Sequence, residues 1–174
     1  MRLKSVRRLF GVCVLAVAVS VSGCGFHLRG SVSGAAQNLY LEGLAPGDAF
    51  DLQFDRAVEL AGARTAPTPS QASGVVHIYQ LLSQRRPLTL GRFGRANEFD
   101  LIYRLAFDIR TPRGEIISPR QEIELHRDYY NDQSLPIAQQ EEEGLIRVEM
   151  RKEIAQALVR RAAYAIQTAA QPKS

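Results

Sequence analysis

Between Glu98 and Thr111 apolar and polar residues recur with a period of two. Phe99, Leu101, Tyr103, Leu105, Phe107 and Ile109 fall on one side, with Asp100, Arg104, Asp108 and Arg110 on the other. Successive side chains of a strand point to opposite faces, so this pattern predicts a strand with one covered and one wet face. One-sided wetting belongs to antiparallel sheets, because parallel sheets are covered on both faces. Pro112-Arg113-Gly114 is a tight-turn signal, and Glu115 to Tyr130 returns as a second strand. Ile123 and Leu125 are its apolar positions; Glu122, Glu124 and Arg127 are polar. Pro119 has no amide hydrogen and predicts an irregularity near the beginning of that strand.

Other segments supply what such a sheet must pack against. Asn38-Leu39-Tyr40-Leu41 is a brief strand signal closed by Gly43 and Pro46, and Val75 to Tyr79 is another, continuing through Leu82. Between them Asp48 suits a helix N-cap. Phe50, Phe54, Ala57, Val58 and Ala61 follow at helical steps with Leu60 alongside, and Gly62 is a natural stop. Thr65 to Ser73, with Pro67 and Pro69, reads as a loop. A long helix is expected from about Pro136 to Ala170. Leu145, Met150, Ile154, Leu158, Ala162 and Ile166 form its stripe, widened by Ile146, Ala155, Val159 and Ala163. Glu141, Glu142 and Glu143 lie early in it, and Arg160 and Arg161 nearer its end, which complements the helix dipole. The expected fold is α+β in the order β-α-β-β-β-α, with two helices on one face of a four-stranded, mainly antiparallel sheet.

The N-terminus has a different character. Arg2, Lys4, Arg7 and Arg8, with no acid, precede an apolar run from Leu9 to Val21. A basic segment ahead of an apolar stretch too short to span a bilayer comfortably has the layout of a signal peptide. Val21-Ser22-Gly23-Cys24 closes it and resembles the lipobox of bacterial lipoproteins. That resemblance implies cleavage before Cys24 and a covalent lipid on it, S-diacylglycerol plus an N-acyl chain such as palmitate. The other reading is an ordinary signal peptide, or an uncleaved anchor, with Cys24 incidental. On the lipoprotein reading, residues 1–23 are removed and 24–37 form a lipidated tether. Residues 38–170 then make one domain, and 171–174 a short tail.

Removal of the leader changes the charge argument. The whole chain has 22 basic and 18 acidic residues, and four of the basic ones leave with the leader. The mature chain is balanced at 18 against 18, so the basic surplus expected of a general nucleic-acid binder disappears. Cys13 lies in the leader and Cys24 carries the lipid, so no thiol remains for a disulfide, a nucleophile or a thiolate metal site. No later stretch approaches the roughly 20 apolar residues that cross a membrane. The remainder reads as a soluble body held to a membrane by its N-terminus.

Catalytic patterns are absent from the sequence. His27, His77 and His126 are far apart, and the last two occur inside strand patterns, where structural or surface roles account for them. There is no G-x-S-x-G, no H-E-x-x-H and no glycine-rich phosphate loop after a strand. The three adjacent glutamates point in different directions on a helix and make no cation site. No enzyme, cofactor or metal is expected.

Gln84 to Asn97 is more unusual. It carries Arg85, Arg86, Arg92 and Arg95 without one acid and joins two strand signals. With Pro87, Gly91 and Gly94 it reads as a connection projecting from one end of the sheet, a positive tip on a neutral domain. Arginine's planar fork suits phosphate and carboxylate groups. Leu88, Leu90 and Phe93 among the arginines fit a ligand with phosphates beside acyl chains. An ordinary solvated hairpin is the other reading.

Cys24-Gly25-Phe26-His27-Leu28-Arg29-Gly30 resembles the start of mature proteins of the LptE (RlpB) family, the LPS-assembly lipoproteins of Gram-negative outer membranes. The order of the later elements is similar over nearly all of the mature chain. The resemblance implies two helices against a four-stranded sheet and a non-enzymatic role. It implies a plug that sits one-to-one inside the LptD outer-membrane β-barrel, helps it assemble and binds lipopolysaccharide on its way to the surface. It places Arg92 where the family's proposed phosphate contacts lie, with Arg85, Arg86 and Arg95 as further candidates. A second basic position of some relatives is Gln139 here. Gly25, where retained enterobacterial lipoproteins have aspartate, implies the outer membrane. A stand-alone outer-membrane lipoprotein binding an anionic lipid or glycan through the same arginines is the competing class. An envelope hydrolase is a third, with only scattered acids and histidines in its favour.

Overall fold

The computed structural model describes residues 36–45, 47–90, 96–130 and 136–171. The leader, Cys24, the tether to residue 35, Arg92, Arg95 and the last three residues lie outside them. In chain order the elements are β1 (Asn38–Glu42), α1 (Ala49–Leu60), β2 (Arg64–Thr65), β3 (Gly74–Leu90), β4 (Ala96–Arg110), β5 (Ile116–Tyr130) and α2 (Pro136–Ala170). They form one sheet in the order β2-β1-β3-β4-β5, with β1 parallel to β2 and β3 and the rest antiparallel. The α+β class is as expected, with five strands in place of four. The extra one is the two-residue β2, held where Arg64 N–H donates to the Gln37 carbonyl at 2.9 Å and Ala66 N–H to that of Leu39 at 2.7 Å.

Both helices lie on one face of this sheet. Phe50, Phe54 and Val58 of α1 and Met150, Ile154 and Leu158 of α2 are buried against Leu39, Val76, Leu105, Phe107 and Ile109. Each such side chain contributes about 1.5–3 kcal/mol by leaving water. The Asp48 carboxylate accepts from the Phe50 amide at 2.8 Å and starts α1 as an N-cap. Gly74 lets α2 seat on the sheet, because a Cβ there would lie 2.3 Å from Ile166 Cδ1. Leu145 and Leu60 depart from expectation at 72% and 73% exposed; the buried stripe of α2 begins at Met150.

Two irregularities decide where the polar residues go. Ile78 pairs with Phe107 but Gln80 with Ala106, so Tyr79 is an extra residue on β3. A one-residue bulge exchanges the faces of everything beyond it. Leu81, Ser83 and Arg85 therefore face the helices, and Arg86 faces outward. β3 continues to Leu90, so Arg85 and Arg86 are strand residues and the expected connection from Gln84 is much shorter. On β5, Ser118 pairs with Ile109 and Gln121 with Phe107, which places the second bulge around Pro119, as its missing amide requires.

The molecule has two distinct ends. At the far end β3 gives way to β4 and α2 begins. At the near end lie the Thr111–Glu115 turn, the start of β1 and the C-terminus of α2. No helix among the described residues is long and apolar enough to cross a membrane.

Candidate functional site

Arg85 and Arg86 stand at the far end on opposite faces of the sheet, and each has an acidic partner brought from elsewhere in the chain. On the helix face, Arg85 Nη1 lies 3.0 Å from Glu143 Oε2, with its guanidinium 4.5 Å from the centre of the Phe99 ring. The Tyr129 hydroxyl donates to the same oxygen, while Arg147 donates to Glu143 Oε1 from Nε at 2.8 Å and Nη2 at 2.7 Å. Arg147 also donates to the Ser83 hydroxyl. Burial pushes the Glu143 carboxyl up, but hydrogen bonds from Tyr129, Arg147 and Arg85 outweigh it and hold the pKa below the ordinary value. Both oxygens of Glu143 are thus occupied by donors, and the one carboxylate offsets only part of the charge of the two arginines it holds.

The outward face carries a longer network. Arg86 Nη2 lies 2.9 Å from Asp100 Oδ2, and His126 Nδ1 lies 3.0 Å from the same oxygen. His126 Nε2 reaches Glu124 at 2.7 Å, and Arg104 pairs with both Glu124 and Glu122. Toward the near end, Asp108 accepts from the Tyr79 hydroxyl at 2.6 Å and from Arg110 Nε at 2.9 Å, beside a His77–Glu42 contact of 2.9 Å. Burial raises the Asp108 pKa, yet the Arg110 and Tyr79 hydrogen bonds prevail and leave it lowered. Asp100 and Asp108 are 3% and 1% exposed, so the face expected to be wet encloses two carboxylates beneath longer side chains.

The candidate residues of the tip are thereby separated. Arg85 and Arg86 do not share one patch, and Arg92 and Arg95 lie outside the described residues. Gln139, in the first turns of α2, donates from Nε2 to the Tyr130 carbonyl at 3.0 Å. His77 and His126 each meet carboxylates, and among the described residues no group of three or more such side chains is arranged so that it could hold a metal ion. Glu143 and Arg147, which sequence reasoning passed over as a cluster, carry a readable signal in their i, i+4 spacing. Asp100 and Asp108 carry one in their alternation with Arg104 and Arg110.

Comparison with known proteins places this architecture. The chain is 27% identical over 158 residues to the LPS-assembly lipoprotein LptE of Pectobacterium atrosepticum, covering 88% of this chain and 84% of that one. Its fold is similar to the solution structure of lipoprotein B from Nitrosomonas europaea, with a TM-score of 0.66 at 25% identity, over 80% of this chain and 92% of that one. The rare lipoprotein B of Shewanella oneidensis matches in fold with a TM-score of 0.64 at 22% identity, over 75% of this chain and 97% of that one. The LptE family profile, described as lipopolysaccharide-assembly, matches residues 36–162. With that match spanning most of its sheet and both helices, the chain belongs to the LptE family of non-enzymatic lipopolysaccharide-assembly lipoproteins.

Proposed function

We propose that the mature chain is fastened to the outer membrane by lipid on Cys24 and plugs the LptD barrel. In that position it helps the barrel assemble and binds lipopolysaccharide during delivery to the surface. Membership of the LptE family over residues 36–162 is the observation that carries this reading. Two physical features support it. The lumen of a large barrel is polar, and a plug must match it. The outward face of this sheet, with Arg104, Glu122, Glu124 and His126 engaged in mutual ion pairs, offers such a surface.

Lipopolysaccharide contact is assigned to the tip between β3 and β4, with Arg92 and Arg95 as its leading residues. Arg85 and Arg86 take a lesser part, because Glu143 and Asp100 already occupy them. Depletion of the protein is expected to lower surface lipopolysaccharide and the yield of folded LptD together. Normal LptD maturation without it would contradict the adaptor role. Changing Arg92 and Arg95 to glutamate should weaken lipopolysaccharide binding and spare the barrel complex; unchanged binding would remove them from the ligand site.

A further inference from the structure

A groove of about 1050 Å³ opens at the near end, between the first residues of β5 and the last turns of α2. Ile116 and Ile117 line its strand side, Ala157 and Tyr164 its helix side, and Arg160, Arg161 and one carboxylate, Glu115, also face it. Ile116 and Tyr164 are 63% and 72% exposed, unusual for side chains of their size. Among the described residues, no carboxylate lies within ion-pair distance of Arg160 or Arg161. Arg161 Nη1 instead donates to the Glu122 carbonyl at 3.1 Å. Arg113, in the adjacent turn, and Arg64, beside β1, are likewise without an acidic partner among the described residues. Arg56, Arg120 and Arg151 elsewhere in the fold also lack one, with Arg120 placed over the Tyr79 ring, whereas Arg85, Arg86, Arg104, Arg110, Arg127 and Arg147 have one.

The position of the near-end arginines matters. β1 begins at the near end, with Leu39 opposite Gly74, so the segment that leads from Cys24 enters the sheet there. Guanidiniums without an acidic partner among the described residues, beside an exposed tyrosine and isoleucine, match the chemistry of a lipid interface, where a phosphate meets an arginine fork and hydrocarbon lies along the aromatic ring. A peptide strand added to β5 fits less well. That edge is broken at Pro119, and Arg161 already occupies the Glu122 carbonyl.

We propose that this groove holds one anionic glycerophospholipid from the membrane faced by the N-terminal end of the chain. Its phosphate lies between Arg160 and Arg161, and its acyl chain runs along Ile116 and Tyr164. The site is at the opposite end of the sheet from the lipopolysaccharide tip, so either can fail without the other.

The chain contains no tryptophan, so Tyr164→Trp introduces a single indole reporter at an exposed position. The full mature protein is reconstituted in vesicles carrying dibrominated phosphatidylglycerol or dibrominated phosphatidylcholine, and quenching is titrated against lipid. Strong quenching is expected with the anionic lipid and little with the zwitterionic one. Leu88→Trp at the far end, read in the same vesicles, should be quenched by neither. An arginine near an anionic lipid surface is worth about fivefold in binding, so Arg160→Gln with Arg161→Gln should weaken the titration about 25-fold. Arg160→Lys with Arg161→Lys should retain most of it, which separates lost charge from lost fold. Equal quenching by both lipids, or none, overturns the proposal. So does displacement of the brominated lipid by lipopolysaccharide at lower concentration than by unlabelled phosphatidylglycerol.

Discussion

The two ends of the long helix α2 use arginine in opposite ways. At its start, Arg147 and the neighbouring Arg85 converge on Glu143, and both guanidiniums are engaged within the fold. At its finish, Arg160 and Arg161 line a groove without acidic partners among the described residues. A guanidinium held by a carboxylate is a structural element, whereas one left in water is available to a ligand. Counting basic residues along a segment therefore misplaces affinity. What matters is which acids the fold delivers to each of them.

The contrast presumes a shared core between the ends, and the largest predicted effect comes from attacking that core. Phe107 is fully buried, and Phe107→Ala should cost about 3–5 kcal/mol in urea unfolding. Backbone amides at both ends should then exchange faster together. If only one end loosened, the ends would be separate cooperative units.

Gly74→Val strikes the near end alone. Its side chain would meet Ile166 Cδ1 and displace the last turns of α2, at about 1–3 kcal/mol. Faster hydrogen exchange is expected over residues 160–170 but not 139–147, and uniform acceleration would contradict a local seat.

Glu143→Gln strikes the far end alone. Loss of a half-buried carboxylate that accepts from two arginines and a tyrosine should cost about 1–2 kcal/mol in denaturant unfolding. It also frees Arg85 and Arg147, so binding of a polyanion such as heparin should tighten. If heparin affinity did not change, those arginines would not be masked by Glu143.

The smallest effect concerns His126. Hydrogen bonds to Glu124 and then Asp100 raise its pKa above the ordinary 6.5. A histidine raised in the folded state stabilises fully below its unfolded pKa, and that contribution is lost as pH climbs through the folded value. The stability difference between wild type and His126→Gln should therefore be larger at pH 6 than at pH 9. A difference independent of pH would mean that the imidazole stays neutral in the fold.

Much of this arrangement is readable from the chain. The alternation in β4, the Asp48 cap, the Gly62 stop and the extent of α2 follow from local periodicity, and local forces suffice to produce them. The Tyr79 bulge does not, because nothing within Val75 to Leu82 marks where the pairing slips against β4. Without that slip, Arg85 and Arg86 are assigned to the wrong faces. Their masking is equally illegible in sequence, since Glu143 lies 58 residues from Arg85 and Asp100 lies across a strand pair from Arg86. Burial of Asp100 and Asp108 depends on the same cross-strand neighbours. The near-end groove is not legible in the sequence, because Ile116 and Tyr164 are distant along the chain and meet only when α2 folds back along β5.

The role proposed for this chain rests on a barrel partner, and co-purification tests that most directly. The protein is captured from detergent-solubilised outer membranes and the mass of its complex is measured. A stable one-to-one assembly with a large β-barrel is the predicted result. A solitary, lipidated monomer would contradict it and favour the stand-alone lipid binder.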